Sequence, residues 1–402
     1  MRNRGRHKRG SNGVIEPSRE LQAVLACARY PMEAGALTLE GLDWARFFQV
    51  AQSLGVTALV AGNLLAHCRG QLPQEAEQKL QRLRHAAMGF AARMLARSAE
   101  VTGWLQAANM EVLTLKGVPL GALLYGSPLL RHSSDIDLVV RPHDVARAER
   151  LLKEKGLIPS VRLDERQMDA LIHWGYALDF RSANGKVMVD LHWGFQPCIC
   201  PLDARKVWER AQTVAAEGVA WRTLSLEDYL LFLCYHPVKH CYQGLRPICD
   251  LAALLRHGEN LDWDYVWQQA ETTGTLRIVG VGLGLAERLL GAKLSQNIKH
   301  RIVQSPQVAS LIQVAAAAIF HGLSGWRNTQ TVWGVRMLDN LWWRTRFLLR
   351  KMFVPNEEEV AALSLPARLR FAYYPLRFVR VPWRYGRILC DLKKTSLRLA
   401  RP

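Results

Sequence analysis

The stretch Arg131-His-Ser-Ser-Asp-Ile-Asp-Leu-Val-Val140 constrains this chain more than any other. Its Ile, Leu and Val content calls for a buried β-strand, and yet it carries two acids two residues apart. Side chains alternate along a strand, so Asp135 and Asp137 share one face while Ile136 and Leu138 point into a core on the other. Like charges held that close repel, and both stay ionised only beside a cation, most simply Mg²⁺, which takes oxygen ligands and leaves room for phosphates. Such a strand needs partner strands beside it and helices behind it.

The flanking sequence supplies both. From Ser18 to about residue 105, apolar residues recur at three- and four-residue intervals, which predicts an N-terminal helical region over 18–105. The period then shortens. Glu111-Val-Leu-Thr-Leu-Lys-Gly117 reads as a strand and turn, and Pro119 suits the start of a helix. After the Asp-Ile-Asp strand, Asp144 is placed to N-cap an amphipathic helix closed by Gly156, and a second helix follows near Glu165–Trp174. Residues 176–193 read as a β-hairpin, because Asn184-Gly185 separates two alternating runs. Helical periodicity returns after Ser225, whose pairing with Asp228 resembles a capping box, and continues to about residue 330. The expected fold class is α+β: a mixed-sheet core at 106–222, a helical domain at 223–330, and a basic, aromatic-rich C-terminal extension at 331–402.

The hairpin adds a third acid, since the same alternation puts Asp190 beside His192 on one face and Val189 with Leu191 on the other. Three carboxylates from two strands can hold two metals ~3.5–4 Å apart, one activating a hydroxyl and one stabilising a leaving pyrophosphate. Phosphates need a cradle as well. Lys116 brings a charge, Gly117 permits close backbone approach, the following helix start offers N–H groups, and Arg131 is a further phosphate candidate.

With these residues in place, a resemblance is plain. Residues 113–140, together with Val187-Met-Val-Asp-Leu-His-Trp193 and residues 236–255, resemble the bacterial uncharacterised nucleotidyltransferase family, within the DNA polymerase β-like nucleotidyltransferase superfamily. The likeness runs from about residue 20 to 330. It implies a polymerase-β-like core in which Asp135 and Asp137 are the paired metal ligands, Asp190 is the third acid, and Lys116-Gly117 is the strand-to-helix turn. It also implies an enzyme that uses Mg²⁺ or Mn²⁺ to move a nucleoside monophosphate from an NTP such as ATP to a hydroxyl, and a polar lining of His236, Lys239, His240 and Asp250 facing the active site. Val118 departs from the pattern, standing where the superfamily usually has a second Gly or Ser. Two other readings compete: an inactive module that binds RNA or another polyanion, and a toxin-like enzyme acting on tRNA.

Other features admit plainer accounts. His192, next to Trp193 at a strand end, reads first as a packed, hydrogen-bonded group. Cys234, His236, His240, Cys241 and Cys249 invite a zinc reading, but Pro237 disturbs the geometry and there is no paired Cys-x-x-Cys. The eight cysteines lack the spacing of a disulfide framework, and the basic segment 1–17 lacks the apolar core of a signal peptide, so a disordered tail and cytoplasmic residence are expected. The net charge of +18 points to anionic partners. Residues 341–402 hold 14 Lys/Arg against 4 Asp/Glu among many aromatics, a pattern open to RNA, to an anionic membrane surface, or to a solvated helical face.

Overall fold

A computed structural model describes residues 18–32, 37–303, 305–321 and 326–378. The segment 1–17 and the end of the extension, including Trp383, lie outside the described residues.

The architecture is α+β. Five strands, β1 (Val112–Thr114), β2 (Ile136–Val140), β3 (Leu157–Pro159), β4 (Ala177–Ser182) and β5 (Met188–His192), form one mixed sheet in the order β1-β2-β5-β4-β3. The β2–β5 pair is parallel, and the other neighbours are antiparallel. β2 is buried along its whole length, as expected for a central strand, whereas β5 alternates between buried Val189 and Leu191 and half-buried Asp190 and His192. The hairpin forms as its turn residues require: Gly185 adopts φ +67°, and Ser182 Oγ and the Lys186 N–H both bond to Asn184 Oδ1.

One face of the sheet buries Ile136, Leu138, Val189 and Leu191 with Val101 and Leu105 of the long Gln74–Ala107 helix and with Val145, Ala148 and Leu152 of the Val145–Glu154 helix. The second hydrophobic core is helical, and it joins the two ends of the chain. Phe47, Leu54 and Leu64 from the N-terminal helices pack in one cluster with Tyr229, Leu251 and Leu283 from helices beyond residue 223. The Leu245 N–H donates to Leu54 O at 2.9 Å, tying these regions together across the mouth of the sheet.

The expected cap at Ser225 forms on the Leu226–Lys239 helix. Ser18 also caps Arg19–Cys27, and Asp164 forms a capping box on Glu165–Trp174, neither of which was read from the sequence. Asp144 is a correction. Pro142–Asp144 makes a 3₁₀ turn that runs straight into the next helix, so Asp144 already has helical dihedrals and its carboxylate pairs with Arg147 at 3.0 Å instead of capping. A further hairpin, β6 (Gln212–Ala216) with β7 (Val219–Thr223), turns through Glu217 and Gly218, both at positive φ, and carries no alternation distinctive enough to read beforehand.

The extension docks on the core through residue 378. Phe347 and Tyr373 are buried, Arg377 pairs with Glu359 at 2.6 Å, and Trp174 meets Tyr373 edge to face. Trp342, Phe371 and Phe378 stay exposed. No single helix among the described residues is long and apolar enough to cross a membrane.

Candidate active site

The acids meet because of strand register. Asp137 and Asp190 are paired positions on parallel β2 and β5, and Asp190 in turn faces Asp179 on β4. Three carboxylates therefore cross the sheet in a row. Asp179 was not foreseen; its signal was the hairpin itself, since counting outward from the Asn184-Gly185 turn pairs it with Asp190.

Asp135 sits just before β2, and Lys116 reaches both acids from the end of β1. Its Nζ lies 3.0 Å from Asp137 Oδ2 and 3.6 Å from Asp135 Oδ2. The turn that carries Lys116 is held to the strand by the Leu115 N–H, which donates to Asp137 O at 3.0 Å. Gly117 follows at φ +69° and ψ −121°, a conformation that an L side chain rarely adopts, and a Cβ there would stand 3.4 Å from Ser133 Oγ. Ser133 Oγ donates to Asp135 O at 3.1 Å, fixing the approach to the strand.

On the other side of Asp137, His192 Nε2 stands 3.5 Å from Oδ1. Asp137, Asp190 and His192 each offer one ligand atom within 4.8 Å of the others, the one such group of three among the described residues. The cysteines and histidines of 234–249 form no such group there. Asp190 Oδ1 and His192 Nε2 are buried without a hydrogen-bond partner, which is costly unless a cation or substrate satisfies them, whereas Asp137 Oδ2 is held by Lys116. These residues fit a divalent metal: two carboxylates and an imidazole around one point, with Asp135 close by.

The electrostatics agree. Burial works against the charge on Lys116, but Asp137 and Asp135 outweigh it and hold its pKa above that of an ordinary lysine. Burial likewise opposes ionisation of Asp137, and Lys116 followed by His192 overrides it, keeping this carboxyl well below the usual range. Asp190 goes the other way. Burial, then Asp137, Asp179 and Asp135, push it up to about 7. One lysine does not offset the acids crowded here, and Asp190 is the carboxyl whose charge is most disfavoured.

Above the acids lies a cleft of about 480 Å³, roofed by the Leu226–Lys239 helix and the loop to Arg246. His236, Lys239, His240 and Asp250 all line it. His236 is held far below the usual histidine range by burial and then Lys116, and burial with Lys239 brings His240 down to about 4, so both are neutral near pH 7. Arg131 also reaches the cleft, but its Nε and Nη2 are engaged with Asp250 Oδ2 at 3.0 and 2.9 Å, and Tyr125 donates to Asp250 Oδ1 at 2.9 Å. Only Arg131 Nη1, buried without a hydrogen-bond partner, is left for a phosphate.

A mixed sheet that brings acids from two neighbouring strands beneath one cleft, with a Lys-Gly strand-to-helix turn at its rim, defines a protein of the nucleotidyltransferase class. The sequence agrees with the geometry. The chain belongs to the uncharacterised nucleotidyltransferase family, whose family model matches residues 40–291. That range takes in the N-terminal helices from Trp44 onward, the sheet and the helical roof of the cleft. No curated protein matches this chain.

Proposed function

We propose that this protein transfers a nucleoside monophosphate from an NTP to a hydroxyl acceptor, with Mg²⁺ or Mn²⁺ bound. The observation that carries the reading is the register pairing of Asp137 with Asp190, which puts two carboxylates, with Asp190 Oδ1 buried and unpartnered, beneath a cleft large enough for a nucleotide. Asp137, Asp190 and His192 would hold the metal in the nucleotide-free protein, with Asp135 joining when nucleotide is bound, and the metal supplies charge stabilisation at the phosphates and lowers the pKa of a bound hydroxyl. The acceptor oxygen attacks the α-phosphorus, the bond to the bridging oxygen breaks, and pyrophosphate leaves with that electron pair. Asp190, as a ligand of that metal, favours deprotonation of the acceptor hydroxyl, whose proton leaves to solvent. Lys116, Gly117 and Arg131 Nη1 serve the triphosphate, and neutral His236 and His240 line the remaining wall without repelling Lys116.

A second reading rests on the Lys116 ion pair, which already gives Asp135 and Asp137 a cation: an inactive module that binds polyanions through its +18 surface. Incubation with each α-labelled NTP, Mg²⁺ or Mn²⁺, and separate pools of RNA, proteins and metabolites separates the two. Label should enter one pool with wild-type protein and not with Asp137→Asn; no transfer to any pool would leave the binding module.

A further inference from the structure

Around Asp137 the structure offers two cation positions, and they are unlike each other. The inner one, among Asp137, Asp190 and His192, holds two buried atoms without hydrogen-bond partners, Asp190 Oδ1 and His192 Nε2. At the outer one, between Asp135 and Asp137, Lys116 Nζ already stands at 3.6 and 3.0 Å. We infer that Lys116 is the resident cation of the outer position, so that the nucleotide-free protein holds a single divalent ion, at the inner position, with His192 as its nitrogen ligand. This rests on the metal-dependent reading above and deepens it, since it assigns the two positions to different cations.

Three observations support the assignment. The first is the anchoring of Lys116: Leu115 before it is bonded to Asp137 O and Gly117 after it packs against Ser133, so the lysine backbone is pinned beside the acids. Its side chain is 13% exposed, so solvent competes little for the ammonium group. The second is the distribution of charge: Lys116 contacts Asp135 and Asp137, whereas Asp190, with Asp179 opposite it, has no cationic side chain in ion-pair contact among the described residues and is left for a divalent ion. The third is donor type. The inner position includes an imidazole, which favours a metal that accepts nitrogen, such as Mn²⁺, over the strict oxygen preference of Mg²⁺. An ion in the outer position would have to displace Lys116 into a cleft also lined by His236, Lys239 and His240, where Asp250 is already paired with Arg131.

The test is Mn²⁺ titration of the full-length, nucleotide-free protein, followed by calorimetry and electron paramagnetic resonance. Wild type should bind one tight Mn²⁺ whose spectrum carries nitrogen coupling from His192. Lys116→Met should bind a second ion, or bind the first roughly tenfold or more tightly, while Lys116→Arg stays at one. Asp135→Asn, which removes no buried cation, should still bind one ion with the nitrogen coupling intact. That variant decides the matter alone should Lys116→Met fail to fold. One Mn²⁺ of unchanged affinity in both wild type and Lys116→Met, or loss of the wild-type ion in Asp135→Asn, overturns the role of Lys116 while leaving a metal site standing. No Mn²⁺ bound by wild type, Lys116→Met or Asp135→Asn overturns both this inference and the metal-dependent reading.

Discussion

Asp137 and Asp190 stand opposite each other on parallel neighbouring strands, one carboxyl held well below the usual range and the other pushed up to about 7. Two acids of one type, a strand apart, are driven in opposite directions because Lys116 contacts the first, while the second faces burial and three like charges. That divergence organises the expectations that follow.

Asp190→Ala should keep most NTP affinity and lose nearly all transfer, on the order of 10³-fold or more, because the attacking hydroxyl loses its activation and its alignment. NTP affinity measured beside single-turnover label transfer checks this. Transfer at the wild-type rate would refute the role given to Asp190.

The raised pKa of Asp190 sets a pH dependence of stability. Its folded value of about 7 lies above the unfolded value near ~3.9, so the folded state binds the proton more tightly. Its contribution is present in full below the unfolded pKa and is lost as pH rises towards 7, levelling off above. In metal-free buffer, Asp190→Asn should therefore match wild type near pH 4 and exceed it at pH 8 by about 1–4 kcal/mol. Denaturant unfolding in EDTA at the two pH values measures the difference, and Mn²⁺ should restore the wild type selectively at pH 8.

Asp250 is 1% exposed and neutralises a buried arginine, so Asp250→Ala should cost about 3–5 kcal/mol by leaving Arg131 charged and unpaired. The double variant Arg131→Met with Asp250→Leu should recover much of that loss, since a well-packed apolar pair removes the uncompensated charge. Urea unfolding of the three proteins gives the comparison. NTP affinity should fall in both variants, because Arg131 Nη1 is lost in one and misplaced in the other.

Gly117→Ala should cost about 1–3 kcal/mol, since φ +69° with ψ −121° is strained for any residue with a Cβ. The turn would shift to relieve the strain and take Lys116 with it. Transfer should then fall by up to about 10²-fold, as for a displacement of about 1 Å at a reacting centre. Equal thermal stability of Gly117→Ala and wild type would contradict the strain argument.

Much of the site was legible from local pattern. Period-two alternation put Asp135 with Asp137 and Asp190 with His192, and Asn184-Gly185 announced the hairpin that the structure forms. The helix start at Ser225 followed from a side chain that accepts a backbone N–H group, and the start near Ser18 from apolar periodicity. His192 was harder, because a histidine beside a tryptophan at a strand end reads as packing until a second acid is found within reach of it. Lys116 was legible as a cation at a turn, but its partners were not: phosphate was expected of it, and the structure gives it carboxylates.

What the sequence determined by itself was everything set within a few residues: which side chains share a strand face, where helices begin, and that two acids in a core strand require a cation. Only the tertiary structure decided which strands are neighbours. The parallel pairing of β2 with β5 sets Asp137 against Asp190, and the return of the helical roof joins Arg131 to Asp250, 119 residues further along the chain. Periodicity reports the environment on each face of an element and not the identity of the element across from it. That choice is made by burying two faces of one sheet at once, which fixes a register only when helices from both ends of the chain close over it.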